Sequence, residues 1–220
     1  GFAFADDASE LKKYEARVNE LEKIAAKNDL SALMSQINNS YSSYASGVKF
    51  ERLDGKFSNE ESQKKYAALW NRYHDVFLQA TLKAVKAAKP AAESSFSYEL
   101  TKDGEGVRIT DYTGSDAVLI IPATIEDMPV RELSFSLGGS RAKNVFALVI
   151  PEGVERIIVS PSPTDYHQTF AGNSNLVYVS LPSTLQSLPS YYYRDDTKNQ
   201  YASFTSCFLF PDYNNSRRNI

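Results

Sequence analysis

Hydrophobic positions along the chain follow two different periods. Up to about residue 92 they step by three and four. Leu11, Tyr14, Val18, Leu21 and Ala25 mark one face of an amphipathic helix. Asn28 and Asp29 interrupt that stripe and predict a cap for a second helix carrying Leu30, Leu33, Met34 and Ile37. The polar run NNSYSSYASG, 38–47, breaks the pattern. A third helix is announced by Ser58 and Glu61, at capping-box spacing. Its broad apolar stripe is Tyr66, Leu69, Trp70, Tyr73, Val76, Phe77 and Ala80. Lys83, Lys86 and Lys89 lie near its C-terminal end, where positive charge complements the helix dipole, and Pro90 stops it. These stripes predict core seams of a small helical hairpin or antiparallel bundle.

From residue 93 the grammar changes to short β-branched and aromatic runs punctuated by Gly and Pro. Residues 98–101 and 107–110 flank a turn at Asp103–Gly106 and predict a β-hairpin. Further on, NLVYVSLPSTLQSLP (175–189) fits neither a helix nor a single strand. Pro182 cannot donate within a helix, and strict alternation holds only over Val177, Val179 and Leu181.

A repeat accounts for it. LIIPATIEDM begins at Leu119, LVIPEGVERI at Leu148 and VSLPSTLQSL at Val179; FLFPDYNNSR, from Phe208, keeps only the strand and proline. Pro122, Pro151, Pro182 and Pro211 are spaced 29, 31 and 29 residues apart. Fixed spacing in this range predicts stacked coils. In each coil a short strand points alternate residues inward, here Val179 and Leu181. Proline ends the strand, and the chain turns to send two more apolar residues, Leu185 and Leu188, into the same core. The alignment places Met128 opposite Ile157.

The repeat resembles the BspA-like leucine-rich repeats of bacterial surface proteins. TFAGNSNLVYVSLPSTLQSL (169–188) carries the resemblance best, and GVRITDYTGSDAVLIIPATIEDMPVREL (106–133) is similar to that family's opening segment. The likeness runs over about residues 97–210. This chain departs from the pattern in its longer coils, in Asp116 at the first apolar position of the first repeat, and in its truncated last repeat. The resemblance reaches nothing before residue 93 and implies a leucine-rich-repeat domain, 93–220, with a parallel sheet; with the helical domain, 1–92, and the N-terminal β-hairpin read from periodicity, the expected chain is α+β. It also implies an exported, non-catalytic protein that binds other proteins or adheres to surfaces.

Composition narrows the picture without redirecting it. The chain has 220 residues, 42% hydrophobic and 23% charged, the balance of an ordinary globular protein. Its net charge of −3 argues against general nucleic-acid binding. The helical part holds 14 basic and 12 acidic residues, leaving 10 and 15 for the remainder. The lone cysteine, Cys207, excludes an internal disulfide framework and a multi-cysteine metal site. No apolar run approaches the ~20 residues of a membrane span. Ala3-Phe4-Ala5 ahead of Asp6 and Asp7 has the small-x-small form of a signal-peptide cleavage site and points to export, to the periplasm or the outer surface. The competing reading of the same residues is a short remnant ahead of the natural start.

Candidate chemistry is sparse. Asp165 and His167 are spaced so that the carboxylate could orient the imidazole, the basis of a minor hydrolase reading, but no motif places a nucleophile beside them. No cofactor or metal motif is present, and a non-enzymatic protein is expected. The binding expectation rests on strand parity. With Leu119, Ile121, Leu148, Ile150, Val179 and Leu181 inward, the outward positions are Val118, Ile120, Ala147, Val149, Tyr178, Ser180, Cys207 and Leu209. An outward face that apolar predicts a covered surface or a binding site for a protein or an apolar ligand. A weaker candidate is a tyrosine-rich rim formed by the inserts: Tyr166, His167, Tyr191, Tyr192 and Tyr193. The alternative is structural: a self-associating envelope protein in which the helical part oligomerises.

Overall fold

Helix α1, Asp7–Ala25, buries Tyr14, Val18 and Leu21, three residues of its predicted stripe. Helix α2, Leu30–Met34, follows after a turn in which Asn28 takes a positive φ of 58°. The Asp29 carboxylate caps it by accepting from the Ala32 N–H at 2.9 Å. Helix α3, Glu60–Ala87, buries Tyr66, Leu69, Tyr73 and Phe77 at successive helical turns. Its cap is Asn59, whose side chain accepts from the Ser62 N–H at 3.1 Å. Ser58, the expected cap, lies outside the described residues. These details come from a computed structural model that describes residues 7–36, 50, 56–57, 59–135, 144–158 and 176–186.

The chain divides into two compact units, Gly1–Ala84 and Val85–Ile220. In the first, Arg72 of α3 donates to Asn19 and Glu22 of α1. The Phe50 ring stacks on Tyr73 at 4.4 Å and meets Tyr14 edge-on at 4.9 Å. Ring contacts of this kind add to the area buried.

The second unit opens with the expected hairpin, β1 (Phe96–Leu100) antiparallel to β2 (Val107–Tyr112). The chain then builds two ladders. In the first, β3 (Val118–Ile120), β6 (Ala147–Val149) and β8 (Tyr178–Ser180) pair in parallel with no register shift, so that Leu119, Leu148 and Val179 form one rank. In the second, β2 pairs in parallel with β5 (Met128–Leu133), and β5 with β7 (Arg156–Ile157). Gln186 extends this ladder by donating its N–H to the Glu155 carbonyl at 2.8 Å. Parallel neighbours cannot be joined by a tight turn, and the segments bearing Pro122, Pro151 and Pro182 cross from the first ladder to the second. Leu119, Ile121, Leu148 and Ile150 from the first ladder meet Val107, Ile109, Leu133 and Ile157 from the second in a single apolar core.

Two expectations are corrected. Leu133, not Met128, is the partner of Ile157. Strand β4 (Thr124–Ile125) folds back on β5 through Glu126 and Asp127, both at positive φ, 49° and 63°. Two central residues at positive φ make the two-residue hairpin turn that suits twisted strands. This hairpin lengthens the first coil relative to the second: eleven positions separate Pro122 from Leu133, and six separate Pro151 from Ile157. Met128 instead packs against the core from that hairpin, partly buried. The second correction is Leu181, expected inward but 41% exposed. Its counterparts Ile121 and Ile150 are held in the ladder by donating to the Val149 and Ser180 carbonyls of the next coil. Among the described residues no strand lies beyond β8 to hold Leu181 in the same way.

Candidate interaction face

Strict register on β3, β6 and β8 fixes which outward residues are neighbours. Val118, Ala147 and Tyr178 form one rank, and Ile120, Val149 and Ser180 the next. Adjacent strands lie about 4.8 Å apart, so the six side chains make one contiguous array. Val118, Ile120, Val149, Tyr178 and Ser180 are half-buried. Ala147, at the centre of its rank, is fully buried at 0% exposure, so its methyl group is not available to a partner. On the outer side of β3, the Ala91 N–H donates to the Ile120 carbonyl at 2.9 Å. That bond occupies a backbone acceptor which a further strand would need.

None of the nine residues of these three strands is charged. The outward rank of the other ladder is the opposite. Glu99, Arg108, Glu132 and Arg156 stand side by side across β1, β2, β5 and β7. Arg108 donates to Glu99 at 2.9 Å and through Nε to Glu132 at 2.6 Å, and Arg156 donates to the other Glu132 oxygen. Beside this row, Arg131 forks to both Glu155 oxygens at 2.9 and 3.0 Å and donates to Asp103 at 3.0 Å. A bulge between Val107 and Arg108 makes room for both rows. It sets Val107 opposite Val130 and Arg108 opposite Glu132, leaving Arg131 as the extra residue.

Strand parity foresaw the uncharged face, but the ion pairs went unread. Their signal is a second spacing of 24 residues, with alternating sign, in Arg108, Glu132 and Arg156 and again in Arg131 and Glu155. It differs from the proline spacing because the β4–β5 hairpin lengthens one side of the first coil. Asp116 also finds its place. The repeat puts it at the position of Val145 and Leu176, both buried. In the first coil the Tyr112 ring joins the core instead, and its hydroxyl donates to the Asp116 carboxylate at 2.6 Å. Burial first, and then this bond, push the Tyr112 hydroxyl well above the ordinary tyrosine range.

Turns are stapled between coils two and three. The Glu152 carboxylate accepts from the Ser183 N–H at 3.0 Å and from its hydroxyl at 2.9 Å, and both bonds hold the Glu152 carboxyl below its ordinary range. The Gly153 N–H donates to the Thr184 hydroxyl at 3.0 Å, at a φ of 100° that favours glycine.

Leu209 and Cys207, the rim candidates Tyr166, His167, Tyr191, Tyr192 and Tyr193, and Asp165 of the hydrolase reading lie outside the described residues. Among the described residues no helix is long and apolar enough to cross a membrane.

No family model matches the chain, and no curated protein matches it. Among solved structures it is similar to a leucine-rich-repeat protein of T. pallidum, at 25% identity and a TM-score of 0.36, over 44% of this chain and 41% of that one. The chain therefore spans about two fifths of that protein's length.

Proposed function

We propose that this chain is a non-enzymatic protein-binding module: a short leucine-rich-repeat solenoid on an exported protein, binding an apolar partner surface through the outward face of β3, β6 and β8. The observation that carries the reading is the contrast between the two ladders. The same coils that place Glu132 and Arg156 outward on one side, beside Arg108 of the hairpin, place Val118, Ile120 and Val149 outward on the other. Water alone favours the first arrangement, whereas a contiguous uncharged array favours contact with other apolar surface. One strand per repeat in the β3–β6–β8 ladder, paired in parallel with no register shift, supports the solenoid. Export rests on Ala3-Phe4-Ala5.

The test is the double substitution Ile120→Asp with Val149→Asp. An open face predicts a thermal midpoint within a few degrees of the parent and loss of binding to an environment-sensitive apolar dye. Unfolding of the variant at ambient temperature would show that the face is a packed seam and end the proposal.

A further inference from the structure

We draw no further inference here: the strongest candidate, the uncharged outward face of the β3–β6–β8 sheet, belongs to the site already described, and nothing in the structure shows what covers it.

Discussion

Arg108 and Glu132 meet across β2 and β5 at 2.6 Å, with the Glu132 side chain only 1% exposed on a strand face that points away from the core. Two arginines cover the carboxylate, so deleting it leaves two guanidinium groups facing one another. Breaking a fully buried pair costs about 3–5 kcal/mol. Arg156 is 51% exposed and water screens it, which lowers the figure for Glu132→Ala to about 2–4 kcal/mol. Arg156→Gln costs less than about 1 kcal/mol, because Arg108 still neutralises the carboxylate. Urea unfolding measures both. Equal losses in the two variants would mean that Glu132 is not shared.

Tyr112 and Gly114 give a second prediction. A Cβ built on Gly114 would lie 2.6 Å from the Tyr112 hydroxyl oxygen and 2.7 Å from its ring carbons. The ring is buried and cannot swing out cheaply, so Gly114→Ala should destabilise the chain by about 1–3 kcal/mol. Asp116→Val would match the apolar residues of the later coils, yet it leaves the Tyr112 hydroxyl without its acceptor. It should therefore destabilise the chain, by about 1–2 kcal/mol. A raised melting temperature in Asp116→Val would show that the ring does not stand in for the missing side chain.

Leucines of the second and third coils should not behave alike. Leu148, fully buried, should cost about 3–5 kcal/mol on replacement by Ala. Leu185 packs against the core while partly buried, and Leu185→Ala should cost about 2 kcal/mol. Leu181→Ala should cost under about 1 kcal/mol, since much of its surface already faces water. Chemical denaturation of the three variants checks the order. A Leu181→Ala loss as large as that of Leu148→Ala would place Leu181 in a packed interior.

Acid should loosen the junction between coils two and three. The Glu152 carboxyl is held below its usual value of 4.5 by the Ser183 bonds. A lowered folded value means that its stabilisation is present above about pH 4.5 and is lost as pH falls through the folded value. Asp103 shifts in the same direction, through Thr101 first and then the Glu105 N–H. The thermal midpoint should fall as pH drops below 4.5, and Glu152→Gln should flatten part of that slope. An unchanged pH profile in Glu152→Gln would remove Glu152 from the account.

The amino-acid sequence alone determined the change from helical to strand periodicity, the β1–β2 hairpin, and the ranks of Leu119, Leu148 and Val179. These features are local or strictly repeated. A period of two or 3.6 states which side of an element is apolar, and a proline marks where a strand must stop. The tertiary structure alone decided that Leu133 rather than Met128 stands beside Ile157, that Ala147 is closed off, and that Leu181 is exposed. Each of those depends on what another coil supplies. The β4–β5 hairpin shifts one ladder against the other, and no one-dimensional alignment on prolines contains that shift. The same displacement turns residues 24 apart into ion pairs on one side, while residues 29 to 31 apart become apolar neighbours on the other. Pairing across coils is a property of the stack, and it fixed which uncharged side chains share the candidate interaction face.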